Sequence, residues 1–320
     1  MIPNELSIDT IAHIYKNLSN YIIKTPLIEC DQFINKLLDS KIFFKLEFLQ
    51  NSGTFKARGA INNVLNLKKE AFEKGITTIS AGNHAIAASY VANKFKLKNK
   101  IFIYESANPY KIKKCKELNA NLIFTEPHNG FKNVKIASKN EGYYFLHPFD
   151  GHLTIQGTSS LGFEIFNQIK EFDNILISVG GGGLISGVGS AIKQLNPKCK
   201  IIGIEPIGAC GMTKSISIDK PIKDVKINTI ADSLSSPLHM EYSFNIAKNV
   251  IDEMITVSDE ELIKSMKFMF NNFKLILEPA CVTAIAALLG PLKNKLSNQK
   301  TIILLCGSNI DVETWYNLVK

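Results

Sequence analysis

The stretch ILISVGGGGLISGVG, residues 175–189, decides the fold. Its opening apolar run has the length of a buried strand, four glycines follow, and the tail repeats apolar residues at helical spacing. A strand that runs through a glycine turn straight into a helix is half of a βαβ unit. Gly180, Gly181, Gly182 and Gly183 leave backbone N–H groups bare and remove every Cβ that would hold an anion away, so the turn reads as a phosphate site. Glu205 ends the next apolar run about 20 residues on, as a dinucleotide site would require, but Ser186 stands where the third glycine belongs. The spacing therefore favours a single phosphate over a dinucleotide.

The same alternation extends in both directions. IFFKLEFL (42–49), TTIS (77–80), KIFIYE (100–105), NLIFTE (121–126), GYYFL (142–146), IIGIEP (201–206) and TIILLCG (301–307) read as buried strands. AIAASYVANKF (85–95), YKIKKCKEL (110–118), VKIASKNE (134–141) and TSSLGFEIFNQI (158–169) read as helices between them. This is the pattern of an α/β protein whose parallel sheets are covered on both faces and whose ligands sit beyond the carboxyl ends of the strands. Residues 77–148 form a small α/β domain inserted into a larger one made of residues 1–76 and 149–320.

Composition narrows the function classes. With 45% hydrophobic and 21% charged residues the chain is globular, no apolar run reaches the ~18 residues of a membrane span, and the N-terminus lacks the features of a signal peptide. A cytoplasmic protein with no membrane partner is expected. The six cysteines show neither a C-x-x-C pair nor zinc-ligand spacing. The net charge is +8, yet Arg58 is the one arginine among 37 basic residues, which leaves little with which to read nucleic acid.

Three further segments carry chemistry. KLEFLQNSGTFKARGA (45–60) puts Lys56 near the start of a helix, where the positive end of the dipole favours a neutral, nucleophilic amine. SAGNHAIAA (80–88) is again a strand, a turn and a helix, with free N–H groups for a carboxylate and Asn83 able to hydrogen-bond a planar ligand. TIILLCGSNID (301–311) ends a strand at Cys306. Taken singly, Lys56 is equally a solvated tip, Asn83 a helix cap and Cys306 a core residue.

In this order the segments resemble the serine/threonine dehydratase and serine racemase family of pyridoxal-phosphate enzymes. The likeness runs from Thr25-Pro26-Leu27 to Asn309. It implies the tryptophan-synthase-β-like fold, fold type II, with two α/β domains that each contain a parallel sheet and the active site between them. QNSGTFKARGA (50–60) looks like the family's lysine motif, which implies Lys56 as Schiff-base lysine and general base, with Phe55 touching the cofactor and Ser52 the substrate. SAGNHAIAA implies Asn83 against the cofactor's ring hydroxyl and Ser80, Ala81, Gly82, Asn83 and His84 around the substrate carboxylate. GGGGL implies a phosphate cup of Gly180 to Gly183 and Leu184. GIEP (203–206) matches a further family segment, and EPACVTAIAAL (278–288) followed by CGSN implies Glu278 near the ring and Cys306 facing the pyridine nitrogen.

The resemblance implies pyridoxal 5'-phosphate as cofactor, a homodimer, and β-elimination of L-threonine or L-serine to a 2-keto acid and ammonia. A thiol cannot hold the pyridine nitrogen protonated, which suits prompt loss of a β-leaving group. Racemases of the family carry a serine where this chain has Ala81. Their metal site pairs the glutamate of GIEP with an acid at the position of Gly211, so only Glu205 and Ala209 would remain of it and no metal is expected. HPFDGHLTIQGT (147–158) is about two residues shorter than its counterpart. No regulatory domain follows Lys320, so allosteric feedback is not expected. The alternatives are an amino-acid racemase, a β-replacement synthase or a 3-hydroxyaspartate dehydratase of the same fold. Outside the enzymes stands a silent metabolite-binding relative, and the glycine run with Glu205 leaves a nicotinamide-dependent oxidoreductase as a third reading.

Overall fold

In the computed structural model, which describes residues 2–320 with the side chains of Pro127 and His128 excepted, the strands fall into two sheets. The strands are β1 (Leu27–Glu29), β2 (Lys41–Lys45), β3 (Ile76–Ile79), β4 (Asn99–Tyr104), β5 (Leu122–Thr125), β6 (Tyr144–Phe145), β7 (Asn174–Ser178), β8 (Lys200–Pro206), β9 (Glu253–Val257) and β10 (Lys300–Leu304). The larger sheet has the order β1-β2-β10-β7-β8-β9, and the smaller β5-β4-β3-β6. Every pair is parallel except β1 with β2. The apolar run of β7 is central and wholly buried, with Ile175 opposite Ile201 of β8 and Leu176 opposite Ile303 of β10. Because β2, β7 and β10 are parallel neighbours, the turns that follow them, at 46–55, 179–182 and 305–311, open at one edge.

Two apolar runs end sooner than their sequences indicate. The run at 42–49 leaves the sheet after Lys45 and turns at Glu47–Leu49, which swings the Glu47 carboxylate onto Arg58. The run at 301–307 stops at Leu304, and the chain continues beside the lysine segment, where the Cys306 carbonyl accepts the Phe55 N–H at 3.1 Å. The helix read at 158–169 begins earlier, at His152, behind Gly151 at φ +93°. Neither β1, which is three residues long, nor β9 stood out as an apolar run.

A charged knot lies at the centre. The Arg58 Nε donates to Glu47 Oε1 at 2.6 Å, and its Nη2 donates to Glu47 Oε2 and Glu164 Oε2 at 3.1 Å each. The Lys45 Nζ donates to Glu164 Oε1 at 2.5 Å and to the Thr25 carbonyl at 2.6 Å. All four charged side chains are 0% exposed. The knot ties β2 to the helices Lys56–Leu65 and His152–Gln168, which touch closely: a Cβ on Gly157 would fall 2.5 Å from the Gly59 Cα. The other side of helix Lys56–Leu65, through Ala57, Ile61 and Val64, joins Ile76, Ile86 and Ile101 in the apolar cluster of the smaller sheet. Lys56 thus opens a helix held by both halves of the molecule. Among the described residues no helix is long and apolar enough to cross a membrane.

Removing one partner of a buried charge cluster leaves the others uncompensated, at about 3–5 kcal/mol. Arg58→Leu is therefore expected to lower the stability of the protein by that amount, read from the midpoint of urea unfolding; a change of under about 1 kcal/mol would show that Lys45 alone neutralises both glutamates.

Candidate active site

Lys56 is the first residue of its helix, and its Nζ donates to the Pro148 carbonyl at 2.7 Å while lying 5.0 Å from the centroid of the Phe55 ring. Burial lowers this amine to about 8, although the Cys306 sulfur and the Glu278 carboxylate pull the other way. A lysine so placed is largely neutral a little above physiological pH, the state in which it can act as nucleophile or base.

The glycine turn runs Gly180 to Gly182 and enters the helix Gly183–Leu195 with Gly182 at φ +91°. Among the described residues none of the backbone N–H groups from Gly180 to Ile185 finds a protein acceptor. These donors converge at a helix N-terminus, a ready site for a phosphate. A Cβ on Gly181 would fall 2.3 Å from the Phe149 ring, and one on Gly183 2.2 Å from the Phe149 carbonyl, so the turn is pressed against the segment that follows Pro148.

The third turn follows β3. The Ser80 Oγ accepts the Gly82 N–H at 3.1 Å, and Asn83 opens the helix Asn83–Lys94. The Asn83 Nδ2 donates to Glu278 Oε1 at 2.5 Å and to Ser233 Oγ at 3.2 Å, while its Oδ1 accepts from Asn309 Nδ2 at 2.9 Å. The His84 Nε2 donates to the Leu146 carbonyl at 3.0 Å, and burial beside Lys56 lowers the ring to about 3, so it stays neutral.

These turns meet in a cleft with a cavity volume of about 140 Å³ that opens to solvent. Lys56, Ser80, Ala81, Gly82, Asn83, His84 and Gly181 line it together, and Phe55, Lys56, Gly183 and Leu184 line an adjoining recess. Glu278 stands behind Asn83. Cys306 is buried nearby, and burial, with the Cys306 thiol beside it, pushes the Cys281 thiol well up. Ser52, at φ +64°, accepts the Asn309 amide at its carbonyl, and its buried Oγ, like that of Thr54, lacks a partner. Glu205 lies apart from the cleft, its carboxylate taking the N–H groups of Met212 at 2.7 Å and Thr213 at 2.8 Å, and Ala209 precedes that same helix.

Several residues in and around the cleft escaped sequence reasoning. The Lys111 Nζ donates to Asp232 Oδ2 at 2.6 Å and Ser233 Oγ at 3.1 Å and lies 3.6 Å from Glu278 Oε2. Burial opposes its charge, but the Glu278 and Asp232 carboxylates outweigh it and hold the ammonium protonated. Nothing local separates Lys111 from the other lysines. His147, Pro148 and Phe149 form a wall, the His147 Nδ1 accepting the Asp150 N–H at 2.9 Å. Ser233, Ser235 and Ser236 line the opposite rim; DSLSSP (232–237) is visible in the sequence as a polar loop but carries no motif.

Orphaned N–H groups at the glycine turn, unpartnered Ser52 and Thr54 hydroxyls and a lysine whose pKa burial lowers fit a phosphorylated aldehyde cofactor. The comparisons agree. The family described as "Pyridoxal-phosphate dependent enzyme" matches residues 18–307. The chain is 38% identical to a phenylserine dehydratase of Ralstonia pickettii over 96% of its own length and 94% of the relative's. It is 33% identical to an L-threonine ammonia-lyase of Geobacter sulfurreducens, covering 93% of this chain and 74% of that one. It superposes on maize serine racemase with a TM-score of 0.91 and 30% identity, over 97% and 96% of the two chains. Threonine deaminase isoform 2 of Solanum lycopersicum gives 0.89 and 29%, over 97% and 92%. The chain accordingly belongs to the pyridoxal-phosphate dependent enzymes of fold type II, with pyridoxal phosphate as its cofactor.

Proposed function

We propose that the enzyme removes water and ammonia from a 3-hydroxy-L-amino acid of the threonine and serine type. The observation that carries this reading is Lys56: a buried, readily neutral amine at the floor of a cleft between a phosphate-type turn and a carboxylate-type turn. The dehydratases and ammonia-lyases among its relatives support it. Pyridoxal phosphate, when bound, supplies an aldehyde for covalent capture of an amine and a conjugated ring that accepts the electron pair left at the α-carbon.

The chain's own contributions follow from position. The N–H groups of Gly180 to Leu184 hold the phosphate, and the Glu278–Asn83–Asn309 chain fixes the amide facing the ring hydroxyl. The 80–84 turn receives the substrate carboxylate. The Lys56 Nζ would hold the cofactor through its aldehyde and, when free, would accept the α-proton; that proton and the β-hydroxyl together make the water lost. Water lost in the elimination is regained in hydrolysis, so the net products are a 2-keto acid and ammonia.

Lys56→Ala is expected to lose both turnover and borohydride-fixable cofactor; cofactor fixed to another lysine would move the reactive amine elsewhere. Because the folded amine titrates near 8, below its ordinary value of 10.5, its reactive neutral fraction grows as pH rises toward 8 and levels off above it. Covalent capture of pyridoxal phosphate by cofactor-free protein should accelerate about tenfold per pH unit below that point, with a flat profile from pH 6 to 9 contradicting a lowered pKa.

Racemisation needs a second proton carrier, and the Ala81 methyl, in the same cleft as Lys56, cannot be one. Little D-serine should accompany keto acid formed from L-serine. Ala81→Ser should raise racemisation relative to elimination, since general acid/base help is worth about 10²–10⁴ in rate. Chiral chromatography reads both, and abundant D-serine from the unmodified enzyme would favour the racemase alternative instead.

A further inference from the structure

We propose that the aromatic side chains lining the cleft receive an uncharged aryl group on the β-carbon of the substrate, with Phe131 as the specificity-determining residue. This rests on the β-elimination reading above and deepens it by naming the side-chain class. The lining combines polar groups, Lys56, Ser80, Asn83 and Ser233, with an apolar band of Ile79, Tyr104, Phe131, Pro148 and Phe149.

The band is continuous. Gly130 sits so tightly on β3 and β4 that a Cβ there would fall 1.9 Å from Ile79 Cδ1 and 3.2 Å from Tyr104 Cε1. Its neighbour Phe131 is thereby carried to the cleft. From Phe131 the band passes to His147, with ring centroids 6.5 Å apart, and from His147 edge-on to Phe149 at 4.8 Å. Phe149 lies against Gly181 of the phosphate turn. Tyr104 and Phe131 belong to the apolar cluster behind β3, yet each remains only half-buried, with surface left open toward the cleft.

Charge excludes the acidic alternative. Among the described lining residues Lys56 is the one cationic side chain, His84 and His147 being neutral with values near 3 and 4 through burial. The nearby Lys111 ammonium is already taken by Asp232 and Glu278. A second substrate carboxylate, as in 3-hydroxyaspartate, would find no free cationic partner among these side chains and would face the Asp232 carboxylate, which also lines the cleft. A methyl group carries no charge but reaches only a fraction of the band, whereas an aromatic ring can meet Phe131 and Phe149 by edge and face.

The test measures keto-acid formation by the holoenzyme from L-threo-3-phenylserine, L-threonine and L-threo-3-hydroxyaspartate. The expected order of kcat/KM is phenylserine first, by at least about 10-fold over threonine, with hydroxyaspartate last. Phe131→Ala should cut the phenylserine-to-threonine ratio about 10-fold, mainly through KM, and Phe131→Arg should reverse the order of phenylserine and hydroxyaspartate. Calorimetric binding of L-phenylalanine and L-alanine, which lack a β-hydroxyl to lose, gives a readout without turnover. Phenylalanine should bind more tightly to the unmodified holoenzyme and lose that advantage in Phe131→Ala. Threonine equalling or surpassing phenylserine, or a ratio unmoved by both Phe131 variants, would overturn the aryl assignment. Keto acid from none of the three substrates would instead sink the elimination reading, and the phenylalanine-to-alanine binding ratio would still decide the aryl pocket.

Discussion

Everything at the active site hangs on the orientation of one helix, and that orientation is set by the guanidinium of Arg58. Arg58 lies two residues beyond Lys56 and is locked by two carboxylates that arrive from β2's following turn and from the helix His152–Gln168. A bidentate planar cation between two carboxylates admits little rotation, which a lysine at that position would permit. The cost of burying the charges is offset by nearly complete hydrogen bonding within the knot, and the return is a Lys56 amine whose direction is fixed from behind. The Gly59 and Gly157 contact removes the remaining freedom by bringing the two helix backbones together.

The smaller sheet is joined to this frame in two ways. Apolar packing against helix Lys56–Leu65 is one. The other is polar: Lys111 and Asn83, both carried by the smaller sheet's helices, reach Asp232, Ser233 and Glu278 on elements of the larger half. Asn83 therefore serves the cleft and the junction at once. Any shift between the halves must strain the same hydrogen bonds that orient the Asn83 amide, so the relative placement of the halves and the alignment of the cleft's polar groups are mechanically coupled.

Much of this was readable before any coordinates. The central strands announce themselves because parallel strands buried on both faces must be continuously apolar, and the glycine turn because bare backbone is its function. The reactive lysine and the Asn83 turn could be singled out only by their order along the chain, since Lys56 looks like any other lysine in isolation. What stayed hidden depends on long-range contact. Lys111 acquires meaning only when Asp232 and Glu278 are brought to it, and Phe149 only when its ring meets Gly181. Glu47 sits in an apolar run that looked like strand and leaves the sheet because its charge needs Arg58. The shortened 147–158 segment could be seen to differ, but not that it becomes an aromatic wall.

The solitary arginine has one more consequence. Arg58 supplies the one guanidinium in the sequence, and the core encloses it fully. A guanidine-selective reagent such as a dicarbonyl therefore has a single target per chain, one that is shielded for as long as the core is intact. The mass of one adduct counts molecules that have opened, so the residue that fastens the active-site helix doubles as an intrinsic label for global unfolding.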